Sequence, residues 1–123
     1  MASDRKYSIN LDTKFDYLEL IDILPLVASC KEKWFKQTLC QVNGSVVRIG
    51  VVHGEFHWHK HDDDDEFFLV LDGKFLIDLE DQTVELSRHQ GYTIPRGVRH
   101  RTRAAERAVM LMVEQSGVQP EGD

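Results

Sequence analysis

His57, His59 and His61 stand at alternate positions in the run His57-Trp58-His59-Lys60-His61, which continues through Asp62-Asp63-Asp64-Asp65 to Glu66. In an extended segment alternate side chains share a face. The three imidazoles then lie together, with Phe56, Trp58 and Lys60 on the other side. Imidazoles gathered on one face of a small domain need a partner, and neutral imidazole is a ligand for Zn, Fe, Cu and Ni. Glu66 opens the next apolar run and can return to add a carboxylate oxygen. His100 is the further candidate, delivered by the Pro95-Arg96-Gly97 turn to the start of a strand.

The surrounding chain supplies short strands to hold these groups. Trp34 to Val42 reads as extended and stops at Asn43-Gly44, a hairpin signal. Val46 to Val52 is a β-branched run, and Glu66 to Leu71 is another apolar one. Asp72-Gly73 is predicted to close a two-residue turn into Lys74 to Leu79, and Glu80-Asp81-Gln82 to turn into Thr83 to Leu86. Tyr92-Thr93-Ile94 and Ala108 to Val113 are the last runs. Evenly spaced short strands indicate an all-β barrel or sandwich, not βαβ units. Before them, Phe15, Leu18, Ile21 and Leu24 fall at helical spacing, which predicts a short helix ahead of Pro25.

Composition removes several classes of partner. The 123 residues carry 21 acidic and 15 basic side chains, a formal net charge of -6, which argues against nucleic acid as the main ligand. No apolar run approaches the ~20 residues of a membrane span. Residues 1–6 lead into no apolar stretch of the secretory type. Cys30 and Cys40 match no metal-knuckle spacing and read as reduced thiols, so the expected location is cytoplasmic.

The arrangement His59-x-His61-x4-Glu66, followed by Gly73 and by Pro95-x-Gly97-x-x-His100, resembles the cupin superfamily. Glu55 to His61, the Phe67 to Gly73 segment and the acidic end look like the small single-domain cupins, many of them labelled mannose-6-phosphate isomerase-like. The resemblance implies a double-stranded β-helix, the cupin or jelly-roll barrel, over residues 45–114. A 1–44 extension precedes it, holding a possible short helix and strand and a dimer contact through Trp34 and Phe35. An extended tail, 115–123, follows. It also implies one divalent metal ion (Fe, Zn, Mn or Ni) on His59, His61, Glu66 and His100, and a homodimer.

Other groups have bland readings beside their functional ones. His53 and His89 read as solvated, and Asp62 to Asp65 as a solvated loop lacking the ligand spacing of an EF-hand. Strand alternation turns Arg99, Arg101 and Arg103 away from His100. Trp58, Phe67, Phe68 and Phe75 read as core. Arg96 is the candidate for greeting an anionic substrate, and His57 and Tyr92 are candidate proton carriers.

Three imidazoles and a carboxylate leave coordination positions open, which suits catalysis on a small polar organic molecule. Iron would admit substrate and O2, as in a dioxygenase; zinc, manganese or nickel would suit an isomerase or lyase. A non-catalytic sugar or carboxylate binding module, and a barrel whose metal only stabilises the fold, are the competing classes.

Overall fold

The computed structural model describes residues 7–122; the first six residues of the extension and the last of the tail lie outside the described residues. The elements are β1 (Ser8–Asn10), α1 (Leu24–Ser29), β2 (Trp34–Val42), β3 (Ser45–Glu55), β4 (Glu66–Asp72), β5 (Phe75–Asp78), β6 (Thr83–Leu86), β7 (Gly91–Ile94) and β8 (Arg101–Gln115). Antiparallel pairing runs β2-β3-β8-β4-β7, β5 pairs with both β6 and β8, and β1 adds to β2 in parallel.

The hinge of this arrangement is β8. It pairs with β3 along its length, with β5 over Arg101 to Arg103, and with β4 over Val109 to Val113. It exceeds the predicted Ala108 to Val113 run because its first half carries charge on the outer side. His100, Thr102 and Ala104 are buried, whereas Arg101 and Arg103 turn outward. There Asp78 accepts from Arg101 Nε (3.0 Å), Arg103 Nε (2.7 Å) and Thr83 Oγ1 (2.7 Å). These bonds, Arg103 foremost, hold the Asp78 carboxyl well below the usual carboxylate range. Asp78→Asn is therefore expected to be less stable than wild type at neutral pH. The gap should narrow as pH falls below about 4, because a depressed carboxyl contributes stability above its unfolded pKa and loses it on acidification. Urea melts of both proteins across that range check this; a gap independent of pH would refute it.

The Asp72-Gly73 segment corrects one expectation. It does not close a hairpin: β4 and β5 do not pair with each other, and each lies antiparallel to a different half of β8. Gly73 is the corner between those halves. A Cβ there would lie 2.8 Å from the Arg107 carbonyl and 3.0 Å from Ala108 Cα. The Asn43-Gly44 and Glu80 to Gln82 turns do close hairpins, pairing Val42 with Ser45 and Asp78 with Thr83.

Two cores result. Inside the barrel lie Trp34, Phe56, Phe68, Phe75, Ile77, Ile94, Met110 and Met112. On the outer face, Leu39, Ile49, Val51 and Val109 are covered by Phe15, Ile23, Leu26 and Val27 from the N-terminal segment. Trp34, expected at a dimer contact, is only 2% exposed and belongs to the barrel interior.

The predicted helix over Phe15 to Leu24 is absent. Asp16 and Glu19 side chains bond to local backbone N–H groups, and Leu18 takes a left-handed φ of 64°. Such bonds offer the backbone an alternative to helix. The helix instead starts at Leu24 with Pro25 in its first turn, a position that needs no proline N–H. Nor is the tail extended: beyond β8 it turns back, burying Val118 and Pro120.

Candidate metal centre

The segment from Phe56 to His61 is not a regular strand, yet it runs antiparallel to the segment before and into β8. Phe56 N–H donates to Thr102 O (2.9 Å), His59 and His100 exchange both backbone bonds (2.9 and 2.8 Å), and Gly97 N–H donates to His61 O (2.7 Å). This pairing sets the His59 and His100 rings side by side, with centroids 4.3 Å apart. The Pro95 to Val98 turn that aims His100 closes with Val98 N–H to Pro95 O (3.3 Å) and has Gly97 at φ 80°. That is the third position of a type II turn, which favours glycine. Asp65 Oδ1 accepts from Arg96 N–H (2.9 Å), so one residue of the acidic loop pins the turn.

Glu66 enters from the first position of β4, opposite Ile94 of β7. Ligand atoms of His59, His61, Glu66 and His100 then lie within 4.8 Å of one another, and all four residues are buried. His59 Nδ1 donates to the His57 carbonyl and His100 Nδ1 to the Val98 carbonyl, both at 3.0 Å. With Nδ1 so committed, each ring turns its Nε2 toward the cluster, the atom through which it would bind a metal. Burial lowers the His59 pKa to about 3, so this ring is neutral at physiological pH.

His100 Nε2 faces Glu66 Oε1 at 3.2 Å, and His61 Nε2 stands 3.6 Å from Glu66 Oε2. Both His61 ring nitrogens and Glu66 Oε2 are buried without a hydrogen-bond partner. Buried polar atoms are ordinarily paired, because an unmade bond there costs about 1–3 kcal/mol. A cation held between these groups satisfies Glu66 Oε2 and one of the two His61 nitrogens.

Below this cluster lies a charged layer that sequence reasoning missed. Lys36, Arg48 and Glu114 are each at most 3% exposed. Arg48 pairs with Glu114 and donates from Nε to Thr38 Oγ1 (2.9 Å). Burial alone would raise the Glu66 carboxyl, but the neighbouring His100, with Glu114 and Lys36, holds it well below the ordinary range. Burial and the neighbouring Glu66 push Glu114 up to about 8, so the two glutamates share one proton below that pH. The available signal was period two. Lys36 follows Trp34 and precedes Thr38 on one face of β2, and Glu114 follows Met110 and Met112 on β8.

The remaining candidates are dispersed. His57 is exposed; its Nε2 donates to the Glu121 carbonyl (2.6 Å), and its Nδ1 lies 3.4 Å from the Tyr7 hydroxyl. Both its nitrogens are occupied, though its ring lies 5.4 Å from that of His59. Tyr92 faces inward on β7 across from Phe68 and packs against the core. Arg96 is exposed and lines a surface depression with Ser45, Asp63, Asp64 and Asp65. Trp58 is not core; it is half-buried on the outer side, under Arg99 (4.9 Å) and Arg101 (5.4 Å).

The comparisons agree with this geometry. The cupin domain family (Cupin_2) matches residues 45–114. The chain belongs to the cupins. It is 42% identical over 94 residues to the uncharacterized protein YdbB of Bacillus subtilis (strain 168), covering 76% of this chain and 83% of that one. A cupin-2 domain containing protein from Shewanella frigidimarina superposes with a TM-score of 0.74 at 30% identity, over 78% of this chain and 94% of that one. A cupin superfamily protein from Desulfitobacterium hafniense does so at 0.66 and 18% identity, over 80% and 94%. The double-stranded β-helix read from this cupin's sequence is its fold, and its inner His/Glu group can hold a metal ion.

Proposed function

We propose that this cupin holds one divalent metal ion on His59, His61, Glu66 and His100 and uses it to act on a small polar organic molecule. The observation that carries the reading is His61, whose two buried ring nitrogens have no hydrogen-bond partner beside the equally unpartnered Glu66 Oε2. Iron would supply oxygen chemistry there, and zinc, manganese or nickel would supply Lewis-acid chemistry, including that of the mannose-6-phosphate isomerase-like type. The chain's own residues bind and orient: Nδ1 bonds fix the His59 and His100 rings, and the Phe56 ring packs edge-on against His59.

Protein purified without chelator and without an affinity-column metal is expected to carry one equivalent of metal by elemental analysis. His100→Ala should lose it while the barrel remains folded by circular dichroism. Absence of metal from the wild type would overturn the reading. Turnover by the metal-loaded chain separates an enzyme from a binding module. The proposal includes a cytoplasmic homodimer. The exposed Tyr17, Leu18, Leu20 and Leu24 of the N-terminal segment support the association. A monomer at micromolar concentration in light scattering would refute it.

A further inference from the structure

Lys36 is buried on the inner face of β2 and, beyond its field at Glu66, has no role described so far. Its Nζ sits 4.4 Å from the centroid of the Phe56 ring, and that ring meets the His59 ring edge-on at 5.2 Å. Among the described residues no carboxylate comes within 4.0 Å of it. Burial pushes the ammonium below the ordinary lysine range, while Glu66 and Glu114 act through space to keep its charge and Arg48 opposes it. A lysine ammonium is costly to bury without an ion pair, and a single aromatic face compensates only part of that cost.

Charge counting shows what is missing. The interior holds two basic side chains, Lys36 and Arg48, against two carboxyl groups, Glu66 and Glu114, so acids and bases are equal in number before any ion is bound. Arg48 is already committed to Glu114 and Thr38. A divalent ion on the four ligands adds positive charge that these side chains do not balance in a low-dielectric interior, and Lys36 is the basic group beside it with no ion-pair partner among the described residues.

We propose that the molecule received at this centre is an anion, of the carboxylate or phosphate class, and that Lys36 is the group that receives its charge. The inference rests on the metal reading above. It assigns Lys36 a binding role separate from the four ligands, because a cation beside the metal opposes metal binding and favours anion binding.

Those opposite signs make the test. Wild type, Lys36→Met and Lys36→Arg are loaded with Co(II), and azide is titrated while the visible absorption bands of the ion are followed. Lys36→Met is expected to bind Co(II) as tightly as wild type or more tightly, and azide roughly tenfold more weakly, whereas Lys36→Arg stays near wild type. Equal azide affinity in wild type and Lys36→Met overturns the inference and leaves the metal reading standing. Failure of the wild type to bind Co(II) overturns both, before azide is added. If Lys36→Met does not fold, Lys36→Gln is scored by the same criteria.

Discussion

Metal-free His61→Leu protein is expected to unfold at a urea concentration no lower than that of metal-free wild type, and to gain nothing from added metal. His61 has two buried ring nitrogens without partners, each a desolvation cost in the absence of an ion. Leucine fills similar space without polar atoms, so the variant should be about 1 kcal/mol or more stable than wild type in chelator. Added metal reverses the order. A ligand that binds only the folded state stabilises it by about 2.7 kcal/mol at 100 times its Kd, and the variant forgoes this. Removing a supporting partner of a ligand already costs roughly 10–100-fold in affinity, so removing a ligand itself should cost more. Paired urea melts with chelator and with excess metal decide the matter. Loss of stability in chelator would mean that His61 is a structural residue, and an undiminished response to metal would remove it from the site.

The second large effect concerns the charged layer. Arg48→Met should destabilise the fold by about 3 kcal/mol, the lower end of what removing one partner of a buried pair costs, because Glu114, pushed up to about 8 by burial and Glu66, is not left as a bare charge at neutral pH. Replacing both residues, Arg48→Met with Glu114→Leu, should recover most of that loss, since an apolar pair of similar volume leaves no stranded charge. Denaturant midpoints of the single and double variants measure it. A double variant as unstable as the single one would show that the layer is held by packing and not by the pair.

The predicted strands and the observed ones coincide where alternation and turn residues act locally. Trp34–Val42 and Thr83–Leu86 match in full. The histidine ligands were legible for the same reason. His59 and His61 are two apart, which places them on one side of any extended chain, and Pro95-Arg96-Gly97 forms a turn whose geometry depends on its own residues. Glu66 was legible as the first residue of an apolar run.

The charged layer was not legible, because a charged residue in an alternating strand ordinarily marks the solvent face. That rule fails in β2 and β3, where the N-terminal segment covers the outer face and both sides of the sheet are buried. The Asp72-Gly73 turn failed differently. Its residues specify a reversal of the chain, but whether the flanking strands pair depends on β8, which offers residues 101–103 to β5 and residues 109–113 to β4.

By itself, then, the sequence determined the all-β class and the strand positions, which follow from spacing and turn chemistry within short stretches. The set His59, His61, Glu66 and His100 came from the cupin resemblance, since spacing alone groups His57 with His59 and His61. Tertiary structure alone decided which faces are inside, that Lys36, Arg48 and Glu114 share the interior with the candidate ligands His59, His61, Glu66 and His100, and that the tail meets His57. Those facts depend on which distant segment covers each strand, and no local period encodes that.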